Sequence, residues 1–399
     1  MQIFYKLFYN PIKIRILNYF FGKYNIRFYP KKIKLFFQKI SNNEKKKDVI
    51  IFKNIFNFEN NNNKEFLYIF EKQFFCINKV NEIWNDLIKN SHAYDTEVIN
   101  ASHRFHWNNF ILDSRISNLD QEMLIDLILV WKDNFSRKKS DISWQSYNVS
   151  ERICNWIILF HFLEGKICRN KKDILADEIK DHIFFLANNL EYPSSGIINN
   201  HIFNNARALF IGGLFINNIE ITNFAKLIIK ESYDKLFHKS GFLGESSSHY
   251  HFLITRSLFE IYLFAKESKN DNEFCGFIKS RLKNAIHCCK FLLSEKITDG
   301  FEMPKIGDVS PDIPFEWFNP FSKNGWSKLW NYNLDDFSLS FNINHQLIDG
   351  WLRLNKKNWT AFTFLHPNLN EYPSGHGHDD FASINLYYND KPILVDIGC

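Results

Sequence analysis

The hydrophobic period of this 399-residue chain changes once, near Asp335, and that change limits the folds open to it. From about residue 65 to 330, apolar residues recur at helical spacing. In "HFLITRSLFEIYLFAKES", Ile254, Leu258, Ile261 and Ala265 fall on one face, and charged residues then end the stripe. "ISNLDQEMLIDLILVWKDNF" and "ERICNWIILFHFLEG" read the same way. Many such helices joined by short polar loops predict an all-α layer, either a solenoid or a closed toroid, and no fixed-length repeat decides between them. Beyond Asp335, Phe337, Leu339, Phe341 and Ile343 alternate with Ser338, Ser340, Asn342 and Asn344, the period of a half-buried strand. "GWLRLNKKNWTAFTFL" predicts two strands about an Asn-Lys turn, and "FASINLYYNDKPILVDIG" two more joined at Asn389-Asp390. The expected fold class is α+β multidomain, with helices first and then an antiparallel sheet that reaches Cys399 with too few strands for a full sandwich.

Charge separates a third segment. Up to Lys47 there are 12 Lys and Arg against the single acid Glu44, whereas the whole chain carries only +5. This arm runs into the polar linker "NFENNNNKEF". The expected organisation is a basic arm and linker over 1–60, a helical unit over 61–334 and the start of a sheet over 335–399. The arm reads equally as a solvated leader or as a contact for an anionic membrane surface or a polyanionic substrate. Aromatic residues are abundant (42 Phe, 16 Tyr, 10 Trp) and read as core filler. The seven cysteines show no CxxC spacing and read as mostly free, buried thiols. No standard signal peptide and no apolar run long enough for a membrane span is present in the sequence, which leaves a cytoplasmic or periplasmic location open.

Four short stretches could carry chemistry. "SGHGHDDF" sets His376 and His378 on one strand face, with Gly377 between them, and a hairpin would return Asp396 beside His378. Two imidazoles and a carboxylate suit zinc; a turn with its histidines bonded to Asp379 and Asp380 is the alternative. "GIINNHIFNNARALF" puts Asn199, Asn200 and His201 at the head of an apolar helix, where one asparagine serves as cap and the remaining amide and imidazole could hold a carboxylate. "GESSSHYHFL" flanks Tyr250 with His249 and His251, donors able to stabilise a phenolate, although a packed tyrosine is the simpler reading. "KIGDVS" places Asp308 in a Gly-Asp turn, fit to orient a catalytic group or simply to make the turn. There is no GxSxG elbow, P-loop or GxGxxG preceding a helix, and only the basic arm favours nucleic acid, which is not expected as a partner.

Together and in order, "SWQSYNVSERICNWI", "NNHIFNNARALFIGGLF", "GFLGESSSHYH", "DGFEMPKIGD" and "GHGHDDFASINLYYNDKPILVDIG" resemble the heparinase II/III-like polysaccharide lyases. The resemblance implies an N-terminal (α/α) helical toroid followed by an antiparallel β-sandwich, here truncated at the C-terminus. It implies β-elimination at a uronic acid of an acidic polysaccharide, with C5 proton abstraction and O4 as leaving group. Asn200 and His201 match carboxylate-binding positions, Tyr250 the tyrosine acid or base, and His376 the histidine facing it. His378 and Asp396 match two ligands of a structural Zn2+ whose third histidine has no counterpart. Since His376 and His378 share an ideal strand face, a bulge at Gly377 would have to part them. A uronyl C5-epimerase and a non-catalytic glycan-binding remnant are the alternatives.

Overall fold

The computed structural model describes the backbone of 66–70 and 73–76, and residues 96–106, 121–162, 167–192, 198–269, 271–293, 303–309, 315–322, 325–330, 332–337, 346–365, 376 and 382–396, with the side chains of 121–124, 162, 316 and 329 left aside. The first sixty residues, with their basic arm, lie outside this set, as does His378.

Helices begin where a polar side chain satisfies the first free N–H groups, an arrangement worth about 1 kcal/mol per cap. Helix α1 spans Thr96–Arg104, α2 Gln121–Phe135, α3 Ser146–Phe162 and α4 Arg169–Asn188. Helix α5, Asn200–Phe215, is capped by Asn199, whose side chain accepts from Ile202 N–H. Asn218 caps α6, Ile219–Leu236, by accepting from Glu220 and Ile221 N–H. Ser247 and Asp271 cap α7, Ser248–Ser268, and α8, Asn272–Phe291. Short α9, Phe315–Phe318, and α10, Trp326–Leu329, follow.

Helix α5 is the buried axis of this layer, with all of its residues buried except His201. Its Gly212 and Gly213 allow close approach: a Cβ would come within 2.7 Å of Ile183 on α4 and 2.7 Å of Thr222 on α6. The same helix carries Arg207, buried between Glu151 of α3 (2.8 Å) and Glu260 of α7 (3.1 Å). His106 also meets Glu151 (2.8 Å), and Arg256 meets Glu260 (2.9 Å). Three helices are thus joined by one desolvated ion network. Nearby, Arg152 lies 4.1 Å over the Trp131 ring and donates to the carbonyls of His103 and Ser143.

Two elements depart from the sequence expectation. A hairpin of β1, Phe66–Phe70, and β2, Gln73–Cys76, stands where helical spacing was read. Phe337 ends a 3₁₀ turn, Leu334–Phe337, rather than opening a strand; its side chain is buried, and 338–345 lie outside the described residues. The expected pair of hairpins is present. Strands β3, Gln346–Ile348, β4, Trp351–Lys356, β5, Trp359–Phe364, β6, Ile384–Tyr388, and β7, Lys391–Leu394, form one antiparallel sheet in sequence order. The turns use positive φ at Lys357 (54°) and at Asn389 and Asp390 (48° and 62°), as tight hairpins require.

The sheet is open, and its two faces differ. Trp351, Arg353, Phe362, Phe364 and Tyr387 are buried on one; Leu354, Trp359, Ile384 and Tyr388 are exposed on the other. On the buried face Trp351 stacks on Phe242, and Arg353 Nη1 donates to the carbonyls of Phe291 (2.9 Å) and Leu293 (2.6 Å) at the end of α8. Those carbonyls have no further helical turn to bond, so the guanidinium satisfies them while tying sheet to helices. Ser240 adds a hydrogen bond to Asp349. The chain is therefore a helix-rich region followed by a small antiparallel sheet that does not close into a barrel. Among the described residues no helix is long and apolar enough to cross a membrane.

Candidate active site

The heads of α5 and α7 meet at the loop 237–247. The bridge Phe237↔Leu243 narrows this loop, and Glu245 leaves it to accept from the backbone N–H of Asn200 (3.1 Å), fixing the start of one helix against the approach to the other. The segment 303–309 then runs along the head of α7: Ser248 N–H donates to Ile306 carbonyl (2.9 Å), and Ser247 Oγ to that of Asp308 (2.7 Å). At Gly307 the backbone takes φ +74°, and a Cβ there would lie 2.6 Å from the Ser246 carbonyl and 2.8 Å from that of His376. Asp308 N–H in turn donates to the His376 carbonyl (2.9 Å), so the segment clamps the backbone of His376, which comes from between β5 and β6. Gly307→Ala should therefore destabilise the protein by about 1–3 kcal/mol, read as a lowered denaturant midpoint. An unchanged midpoint would show that the clamp does not hold this geometry.

These contacts bring Asn200, Tyr250, Asp308, Glu245 and His376 into one cluster. The Tyr250 and His376 rings stack with centroids 3.6 Å apart and planes 12° from parallel. His376 Nδ1 lies 2.9 Å from Asp308 Oδ2, and Asn200 Nδ2 donates to Nε2 (3.1 Å). Glu245 Oε2, fully buried, lies 3.9 Å from the same nitrogen. Burial pushes the Glu245 carboxyl up to about 8, against the lowering effect of the Asn200 N–H. The imidazole itself is 17% exposed, enough for a ligand to reach it.

Two histidines expected near the chemistry have other partners. His201 is one residue round the helix from Asn200, about 100° away. Its ring packs against Tyr147 (4.7 Å), and Nδ1 lies 3.4 Å from Glu191. His251, read as a neighbour able to stabilise a phenolate, turns into the core: Leu243 N–H donates to its Nδ1, and Nε2 lies 3.1 Å from the Ala285 carbonyl. Burial lowers its pKa to about 4 despite that carbonyl, so it is neutral and supplies no charge to Tyr250. His249 is also buried, edge-on to Phe318. Sequence pattern alone does not place Glu245 in this cluster; its signal is an acid two residues before a serine cap in an otherwise apolar and small-residue stretch.

Of the pair expected to hold zinc, Asp396 lies two residues past β7, half-exposed, with its N–H donating to Asn385 Oδ1 (3.1 Å). His378 lies outside the described residues, among which no three His, Cys, Asp or Glu are grouped closely enough for a metal.

The fold and the cluster define a class: a helix-rich α+β protein whose polar site forms where a histidine from the sheet region meets the heads of two helices. Residues 29–325 match the family model described as Heparinase II/III N-terminus, and the chain belongs to the heparinase II/III-like polysaccharide lyase family. Among solved structures it is similar to a heparinase III (TM-score 0.58, 18% identity, 76% of this chain and 51% of that one). It is also similar to the heparinase III BT4657 gene product (TM-score 0.51, 13% identity, 93% of this chain and 64% of that one). A third is the heparan sulfate lyase HepC from Pedobacter heparinus (TM-score 0.50, 14% identity, 93% of this chain and 56% of that one). The chain thus spans between half and two thirds of the length of these structures. No match emerges among curated protein sequences.

Proposed function

We propose that this chain carries the active site of a lyase that cleaves a uronic-acid-containing polysaccharide by β-elimination, on a helical region arranged as an (α/α) toroid and a sheet that belongs to a β-sandwich. The observation that carries this reading is the stacked Tyr250–His376 pair with the Asn200 amide at its edge. The C5 proton of a uronate is weakly acidic, and its removal places a second negative charge beside the carboxylate. Asn200, itself buried, offers an amide donor to that carboxylate where a hydrogen bond to developing charge is worth more than in water. His201 would join it only by leaving Glu191. Tyr250 and His376 are adjacent proton carriers, as C5 and O4 are adjacent on the sugar. One takes the C5 proton while Tyr250 finally protonates the departing O4.

The stacking supports a lyase over a C5-epimerase, which needs carriers on opposite faces of the sugar. A zinc at His378 and Asp396 would steady the strand that presents His376, with no part in the proton transfers. The basic arm, with its 12 Lys and Arg, suits attraction of a polyanionic chain.

Incubation with a panel of acidic polysaccharides should release unsaturated uronides, seen as new ultraviolet absorbance. Deuterium uptake at C5 without cleavage would select the epimerase, and absence of both would select the non-catalytic alternative.

A further inference from the structure

The two ring nitrogens of His376 face different partners, and together these partners determine where its proton sits. The Asn200 amide nitrogen can only donate, so Nε2, 3.1 Å away, must offer its lone pair. The ring proton then belongs on Nδ1, where Asp308 Oδ2 accepts it at 2.9 Å. The opposite tautomer would point an N–H at the amide protons, and Glu245 Oε2 on that side is 3.9 Å away. Asp308 is itself held through its backbone. Its N–H bonds the His376 carbonyl and its carbonyl accepts from Ser247, so carboxylate, imidazole and the head of α7 move as one unit.

We infer that Asp308 is a positioning residue which locks His376 as the Nδ1–H tautomer and keeps the Nε2 lone pair facing the Asn200 amide. The inference deepens the lyase reading and rests on it for its catalytic meaning. In the substrate-free protein the Asn200 amide covers the lone pair. A uronate carboxylate that takes over this donor uncovers the base at the moment substrate arrives. Asp308→Asn keeps the shape but presents an amide whose N–H₂ competes for Nδ1, which favours the wrong tautomer.

The test combines long-range ¹H–¹⁵N spectra of histidine-labelled protein with kinetics, the His376 signal being assigned by its loss in His376→Gln. The wild type should show the Nδ1–H pattern at His376. In Asp308→Asn this should change to Nε2–H or a mixture, with kcat reduced about 10²–10⁴-fold and KM altered less than about threefold. Asp308→Glu, which keeps the acceptor, should retain the tautomer and recover part of kcat, separating orientation from loss of fold. An Nε2–H pattern in the wild type, or Asp308→Asn with tautomer and kcat unchanged, overturns the inference. If no polysaccharide is cleaved by the wild type but the tautomer follows Asp308 as described, the lyase reading fails while the lock stands.

Discussion

Tyr250→Phe should reduce kcat on the preferred acidic polysaccharide by about 10²–10⁴-fold, the range expected when a positioned acid or base is lost. The variant isolates the hydroxyl. The backbone N–H of Tyr250 is bonded to the Ser247 Oγ (3.1 Å), a contact phenylalanine keeps. Its ring lies against His376 at 3.6 Å, and a benzyl ring can stack there equally well. Thermal unfolding should therefore be little changed, and KM should move far less than kcat if the hydroxyl acts as proposed, on transferred protons rather than on the resting substrate. The decisive measurement is the rate of unsaturated uronide formation. A variant with near wild-type kcat would remove Tyr250 from the chemistry and leave its position as packing alone.

The largest effect on stability is expected at Arg207. Arg207→Met fills much of the same volume without the charge, leaving Glu151 and Glu260 in a site where both are 1% exposed. Burial alone would raise the Glu151 carboxyl; Arg207 and then His106 hold it well below the usual carboxylate range. Removing one member of a buried network costs about 3–5 kcal/mol, because the remaining charge stays desolvated without its partner. The sign of the pH dependence follows. In the wild type, a depressed carboxyl adds stability that is lost as pH falls through its folded value. In the variant burial pushes the Glu151 carboxyl up instead, so protonation relieves it, and the stability deficit should be larger at pH 7 than at pH 5. Chemical denaturation at both values checks this. A deficit below about 1 kcal/mol, or one independent of pH, would mean that the network contributes little beyond its packing.

Local rules made part of this molecule readable in advance. Alternation with turn residues located the hairpins around 357 and 389–390, because a one-residue slip would expose the buried set Trp351, Arg353, Phe362 and Phe364. Cap chemistry located the head of α5, where three consecutive polar residues exceed what a cap needs. Reach across the chain was not readable. Asp308 and His376 are 68 residues apart, and nothing in their spacing says that a clamp at a positive-φ glycine joins them. The direction of His251 was misread because adjacent helical residues differ by about 100°, so a histidine next to Tyr250 in sequence faces the core. The hairpin at Phe66–Cys76 escaped notice because short apolar runs fit either period until a partner strand is known.

Arg353 has a consequence for how the cluster around His376 would come apart. Its guanidinium fastens the sheet to the last turn of α8, while His376 is borne by the chain between two strands of that sheet. The imidazole thus enters a cluster otherwise built by the heads of α5 and α7 and the segments beside them, and the seating of the sheet sets its place. Mild heating or protease nicking that loosens this latch would withdraw His376 from Asn200 and Tyr250 with the helical body still intact.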